Sequence, residues 1–312
     1  MLLNVSRHSH IPQAKQDLKK RLRELLSGVL PREDLVYVYN SYDIVGDIAI
    51  VRLAPASEKH CRAIAEAVMS VHENVKTVLV QRGSVHGNFR VRRLERIAGE
   101  NRTTTVHKEE GVIFSVDVAE CYFSPRLAHE RMRIAEQVES GEILVNMFAG
   151  VGCFSIVAAK HSNMLKAYSI DVNPVAFQFM RENIRRNGVY GRVIPLFGDS
   201  KDVIRERLVN VADRVMMPLP ERALEYLPCA LLALKKSGGW IHYYDFEYAD
   251  KSESPVERVR SKVAERLQRL DVDFVFRFSR VVRTTGPNWC QVVLDIRINS
   301  FGQDHFVHEN VL

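Results

Sequence analysis

EILVNMFAGVGCFSIVAAK, residues 142–160, reads as a short apolar strand, a glycine-bearing turn and a helix in immediate succession. Gly150 and Gly152 stand where the strand end must turn sharply into the helix, so backbone N–H groups face outward and a ligand can approach closely. The spacing is G-x-G followed by Phe154, without the third glycine of the dinucleotide fingerprint, which disfavours a nicotinamide cofactor. Taken alone, the motif also suits an ordinary tight turn between strand and helix.

The alternation continues downstream. KAYSID (166–171) precedes PVAFQFMRENIRRN (174–187), and RVIPLF (192–197) precedes a helix from residue 201. DRVMM (213–217) precedes ERALEYLPCALLALKK (221–236), and GWIHYY (239–244) precedes a helix from residue 255. Strands alternating with helices of this length imply βαβ units, hence a doubly wound, mostly parallel α/β sheet covered on both faces. DFVFRFSRVV (273–282) and WCQVVLDIRI (289–298) have no helix between them and predict an antiparallel pair at one edge.

Upstream the pattern differs. DIAIVRL (47–53), VKTVLV (75–80) and GVIFSVDV (111–118) read as strands, with a helix over 59–71. PQAKQDLKKRLRELLSGVL (12–30) carries Leu18, Leu22, Leu25, Leu26 and Leu30 at helical spacing. The expected organisation is an amphipathic segment over 1–34, a small α+β domain over 35–120, a connecting helix over 121–140 and the α/β domain over 141–312.

Composition sets the bounds. A chain of 312 residues that is 46% hydrophobic can bury one sizeable core and a smaller one. A net charge of +6 permits a polyanionic partner without demanding one. The five cysteines are scattered without a C-x-x-C pair, so neither a disulfide framework nor a metal site is indicated. No apolar run is long enough to span a bilayer and the first ten residues lack a signal-peptide core, so a cytoplasmic protein with no membrane association is expected.

Polar residues recur at the strand ends. Asp171 follows the glycine loop at the end of the second strand, where a carboxylate can accept both hydroxyls of a ribose; the helix-capping role ahead of Pro174 fits Asn173 better. Asp199 and Ser200 end the third strand, as a base-binding pair or as a cap for the next helix. Loop, ribose acid and base-side Asp in this order resemble a class I S-adenosylmethionine-dependent methyltransferase, and the resemblance implies a seven-stranded Rossmann-like sheet. Where that superfamily has an acid at the end of the first strand, this chain has Asn146, which predicts weaker attraction to the cofactor's positive methionine end.

YDIVGDIAIV (42–51), GNFRVRRLERIAGENRTTTVHKEEGVIFSVDVAECYFSPRLAHERMRIA (87–135), NMFAGVGCFS (146–155), IDVNP (170–174) and GGWIHYYDF (238–246) together resemble the archaeal and eukaryotic tRNA (guanine-N1)-methyltransferase family. That family modifies the guanine 3′ of the anticodon, at position 37. The resemblance implies S-adenosylmethionine as cofactor and tRNA as partner, with no stable protein partner, so a monomer is expected. It places the catalytic carboxylate in F-S-P-R-x-x-x-E-R, here Glu130, with Arg90 stabilising the guanine O6. The chemistry agrees, because guanine N1 carries a proton at neutral pH and needs a base. Also implied are cofactor roles for Tyr122, Arg131, Phe148, Gly150, Gly152, Asp171, Val172, Asp199, Ser200 and Pro218, and substrate roles for Arg126, Pro218 and Pro220.

Bland alternatives stand beside these. Arg126 and Glu130 fit an i, i+4 surface pair, and Arg90, Arg92 and Arg93 a solvated strand face. MMPLP (216–220) also departs from the family by placing Pro218 where an Asn helps position the base, which makes activity on the tricyclic wyosine precursor, by methyl or aminocarboxypropyl transfer, a second expectation. The residues ahead of LPREDL (30–35) leave no room for the family's elbow-gripping domain, so tRNA recognition is expected to rest on KKRLR (19–23), VRRLER (91–96) and Lys108.

Overall fold

The computed structural model describes residues 24–37, 42–83, 87, 89–250 and 252–299, which fall into two compact units. The first comprises the chain up to residue 107 together with Asp117–Ala119. Its sheet consists of β1 (Asp43–Val45), β2 (Ile48–Val51), β3 (Thr77–Gln81) and β4 (Leu94–Gly99), side by side in that order. β2 and β3 run parallel through α1 (Cys61–Val71), which buries Ile64, Ala65, Val68 and Val71 against Ala49, Val51, Val78 and Val80.

Leu26 and Leu30 enter the same core, so no domain boundary falls at residue 34. Residues 12–23 of the amphipathic segment, with KKRLR, lie outside the described residues.

The expected boundary at residue 120 also moves. β5 (Thr104–Glu109) and β6 (Val112–Asp117) form a two-stranded ribbon, and residues 108–116 cluster with the second unit. Side-chain amides of α4 (Pro174–Arg186) and its C-cap hold them there. Asn183 accepts the Ser115 N–H at 2.7 Å and donates to the Ser115 carbonyl at 3.0 Å, and Asn187 does the same for Ile113 at 2.9 and 2.7 Å. An amide offers both an acceptor and donors, so it completes the open edge of β6 as a neighbouring strand would. Likewise α2 (Ala128–Gln137), expected as a connector, belongs to the second unit, packs along α3 (Cys153–His161) and buries Ile134 and Ala135.

The second unit has the predicted seven-stranded sheet. β7 (Ile143–Asn146), β8 (Lys166–Asp171), β9 (Val193–Phe197), β10 (Arg214–Met217), β11 (Gly239–Tyr248), β12 (Phe274–Gly286) and β13 (Trp289–Ile298) lie in the order β12-β13-β11-β10-β7-β8-β9. β7 to β11 are mutually parallel and β13 is antiparallel to both neighbours, so the final hairpin closes one edge as expected. The chain winds outward from β7 to β9 and then resumes at β10 on the other side of β7, a reversal that opens a crevice beyond the strand ends.

The two faces of this sheet differ. Val145, Val215, Ile241, Val292 and Leu294 join an apolar core with residues of α5 (Ser200–Arg207), α6 (Ala223–Ala233) and α7 (Pro255–Arg269). Their strand neighbours point the other way, and that face buries polar side chains, Asn146, Ser169, Arg214, His242, Tyr244, Gln291 and Asp295, among Leu144, Met216 and Val293. β12 has register shifts at 276/278 and 281/283. Arg280, opposite Val293, and Arg283, opposite Gln291, therefore share the polar face although three positions apart.

Gly152 and Gly188 test how the glycine turn is built, since both have positive φ, 93° and 67°. A Cβ on Gly152 would come within 2.9 Å of Ile156 Cδ1, whereas one on Gly188 meets nothing within 4 Å. Substitution by alanine should cost about 1–2 kcal/mol at either site for the left-handed backbone. At Gly152 a further ~1–3 kcal/mol of overpacking should appear. Urea unfolding of the two variants measures the difference.

Candidate active site

Beyond the carboxyl end of β7, Gly150 and Gly152 turn the chain into α3, both in the left-handed region. A Cβ on Gly150 would meet only the Tyr122 carbonyl, at 3.8 Å, so the loop is open to a ligand there and Tyr122 stands beside it. Asp171 accepts the Gly150 N–H at 2.6 Å on Oδ2 and the Asn173 N–H at 2.9 Å on Oδ1. Asn173 caps α4 through the N–H groups of Val175 and Ala176, so Asp171 is not the cap. Each Asp171 oxygen keeps a lone pair, the acceptor set that two donating ribose hydroxyls require, and these residues fit the nucleoside part of S-adenosylmethionine. Burial pushes the Asp171 carboxyl up from its usual range, opposed by the N–H groups of Asn173, Gly150 and Val172.

Asp199 does cap α5, accepting the Lys201 N–H at 2.8 Å, and its other oxygen takes the Tyr226 hydroxyl at 2.7 Å. Phe148 meets the Tyr226 ring edge-on. Ser200 departs from expectation: its buried hydroxyl donates to the Met147 carbonyl, because the β7 end offers an acceptor beneath it. Asn146 is also turned inward, donating to Ser155 Oγ at 3.2 Å, which in turn accepts from Ser169 Oγ at 2.6 Å. The amide is fully buried and braces the end of β7 against α3. Val172 and Phe197 expose apolar surface at the ends of β8 and β9, with Phe177 packed on Phe197; neither phenylalanine stood out in the sequence. Pro218 follows β10 directly and is half-buried, and Pro220 is buried.

Ser124 precedes a 3-10 turn, Pro125–Leu127, that leads into α2; the strand before it already ends at Asp117. On α2, Glu130 is 2% exposed while Arg126 is exposed, which removes the solvated-pair reading. Glu130 Oε1 accepts from Arg133 Nε at 3.0 Å, Arg133 Nη2 at 2.6 Å and the Tyr244 hydroxyl at 2.9 Å. Oε2 accepts from Arg280 Nη2. Burial pushes the Tyr244 hydroxyl far up, with Glu130 adding to it, so Tyr244 stays a donor.

The network continues inward. Arg133 Nη2 donates to Asp295 Oδ1 at 3.1 Å and Nη1 to Oδ2, His242 Nδ1 meets Asp295 Oδ1 at 2.7 Å, and Arg214 Nη1 meets His242 Nε2 at 2.7 Å. A guanidinium has no acceptor, so His242 Nε2 is the bare nitrogen and the ring is neutral with its proton on Nδ1. Arg214 also grips Glu142 at 2.8 and 3.0 Å. Burial pushes His242 down from its ordinary value, with Arg214 and Arg133 acting the same way and Asp295 opposing. Burial opposes ionisation of Asp295, yet His242 and Arg133 hold its carboxyl well below the usual range.

Arg131 departs from its expected role. Its Nε donates to Glu109 Oε1 at 2.5 Å, Nη2 pairs with Glu109 Oε2, and the Ser124 carbonyl lies at 3.2 Å. The neighbour that holds Glu130 is Arg133 instead. Arg283 secures the preceding segment, donating to the Tyr122 hydroxyl at 2.9 Å and Ser124 Oγ at 3.0 Å. In the first unit, Arg90 is half-buried in a turn with φ 54°, Arg92 is buried against Asp43 and only Arg93 is exposed.

Comparison with known proteins agrees with this geometry. A family model described as the TRM5/TYW2 methyltransferase domain matches residues 105–273, and one described as the TYW2 N-terminal domain matches residues 22–103. The tRNA (guanine(37)-N(1))-methyltransferase Trm5b of Pyrococcus abyssi is 37% identical, over 89% of this chain and 80% of the relative. The tRNA 4-demethylwyosine(37)-methyltransferase Taw21 of Saccharolobus solfataricus is 35% identical, over 89% of this chain and 100% of the relative. Among solved structures, the complex of aTrm5 and tRNALeu superposes with a TM-score of 0.77 at 36% identity, covering 90% of this chain and 79% of that one.

The buried neutral His242 predicts an acid sensitivity. Its folded-state pKa is depressed, so its contribution to stability is present above the unfolded value of about 6.5 and is lost as pH falls from there through the folded value. The slope in that window is at most about 1.4 kcal/mol per pH unit. His242→Gln should flatten the fall in urea-unfolding free energy between pH 7.5 and 5.5 (the chosen endpoints, about one unit either side of the free value). An unchanged slope would sink the assignment.

Proposed function

The chain belongs to the TRM5/TYW2 methyltransferase family, and on that premise we propose that it transfers a methyl group from S-adenosylmethionine to N1 of guanine 37 in tRNA. One observation carries the reading: a buried carboxylate, Glu130, in the same unit as the glycine loop and Asp171, with fixed donors on one oxygen and a lighter load on the other. When bound, S-adenosylmethionine supplies an electrophilic methyl group whose C–S electron pair returns to sulfur as N1 takes the carbon. The Gly150–Gly152 loop and Asp171 would hold the nucleoside, and Asp199, bonded to Tyr226, would hold its base with Phe148 beside it.

Glu130 takes the proton from N1, which frees the lone pair that attacks. Negative charge then builds on O6, and Arg90 is assigned to it by resemblance, a contribution of roughly 2.7–4 kcal/mol if it matches an oxyanion-hole donor. Pro218 offers only a carbonyl, which can accept from the guanine amino group, and exposed Arg126 is suited to a phosphate. No helix of the described residues is long and apolar enough to cross a membrane. Pro218 in place of an amide also favours a second reading, methylation of the tricyclic base 4-demethylwyosine at the same position, the substrate named for the Taw21 relative.

Incubation with labelled cofactor and transcripts carrying G or A at position 37, followed by nucleoside analysis, tests the first reading; tRNA carrying 4-demethylwyosine at that position tests the second. Label should enter N1 of guanine only. Glu130→Gln should lower the single-turnover rate by about 10²–10⁴-fold. Asp171→Asn should weaken cofactor binding by about 10- to 150-fold, the loss of roughly 1.5–3 kcal/mol of charge-assisted hydrogen bonding. Methylation at A37, or full activity of Glu130→Gln, would overturn the assignment.

A further inference from the structure

We propose that Asp295, acting through Arg133, and Tyr244 are positioning residues that lock Oε1 of Glu130, so that Oε2 is the oxygen receiving the proton from N1. This rests on the reading of Glu130 as the base. The final torsion of a glutamate is soft and roughly two-fold, so a carboxylate on a helix does not by itself present a defined oxygen. Here Oε1 takes three donors, two from Arg133 and one from Tyr244, which occupies its accepting directions. Oε2 has Arg280, whose side chain is 39% exposed at the sheet edge, and keeps a lone pair.

Arg133 can act as a lock only if it is itself immobile, and every edge of it is held. Nε and Nη2 face Glu130, Nη1 and Nη2 face Asp295, and the guanidinium lies over the Phe278 ring at 4.8 Å. Asp295 is fixed in turn by His242 and by Gln137 Nε2 at 3.3 Å. Charges alternate along the row Glu142, Arg214, Asp295, Arg133, Glu130, Arg280, with neutral His242 between the first pair and the rest. A buried ionic row is a poor stabiliser, since apolar residues of the same volume commonly do as well or better. What this row supplies is one fixed orientation for one carboxylate.

A double-mutant cycle with purified enzyme separates positioning from mere structure. Asp295→Asn and Tyr244→Phe should each lower the single-turnover rate at saturating tRNA and S-adenosylmethionine, by about 10- to 100-fold for Asp295→Asn. Dissociation constants for tRNA and cofactor should stay within about twofold of the unmodified enzyme, since neither residue is assigned to either ligand. In the Glu130→Gln background both substitutions should have no further effect, because they act only through that carboxylate. Equal fold-losses in both backgrounds, or a loss that follows weakened binding, overturns the proposal. Tyr244→Phe leaves every charge in place and decides by the same criterion if Asp295→Asn does not fold. An inactive unmodified enzyme would defeat the function itself, whereas an active one with equal losses defeats only the positioning role.

Discussion

A carboxylate removed from water must have its charge answered nearby, because the effective penalty for burying an unpaired ion is several kcal/mol. Glu130 imposes that demand on the second unit. Arg133 and Arg280 answer it, and each answer creates a further demand: Arg133 in excess needs Asp295, Asp295 is steadied by His242, and His242 in its neutral form needs a donor, which Arg214 supplies. Arg214, the largest fully buried side chain, closes the row on Glu142.

Several features of the fold follow from this demand. The sheet keeps one apolar face for α5, α6 and α7 and places polar residues on the other, where Glu130, Arg133 and Gln137 of α2 answer Tyr244 and Asp295 while Ser155 of α3 answers Asn146 and Ser169. α2 thus belongs to the second unit by its ion pairs as well as by Ile134 and Ala135. The bulges in β12 have the same logic. They twist an edge strand, which discourages pairing with another chain, and they bring Arg280 and Arg283 onto one face to hold Glu130 and the Tyr122–Ser124 segment.

The local geometry of the glycine loop and the strand ends was legible in the sequence. Gly150, Asp171 and Asn173 each sit at a strand end or helix start, where the local chain geometry dictates what a glycine, a carboxylate or a capping amide can do. Ser200 and Asn146 were misread because sequence position does not say whether a polar side chain at a strand end faces the crevice or the interior; Met147 and Ser155 decide that. Arg131 was misread for a related reason. Adjacent helical residues point about 100° apart, so the neighbour of Glu130 reaches Glu109 while Arg133, one turn on, reaches Glu130.

The sequence by itself determined the parallel α/β sheet and the glycine turn, because each is written in local spacing: alternation of strand and helix, or a short motif at a strand end. It could not show Tyr244 and Arg280 on the Glu130 carboxylate, Asp295 on its partner Arg133, or Arg283 on the Tyr122–Ser124 segment. Those residues lie more than a hundred positions away, and two of them share a face only through irregularities that break the period of two. Tertiary structure decided which donors each oxygen of Glu130 receives, Arg133 and Tyr244 on one and Arg280 on the other, since a buried charge selects its partners by three-dimensional proximity and not by order along the chain.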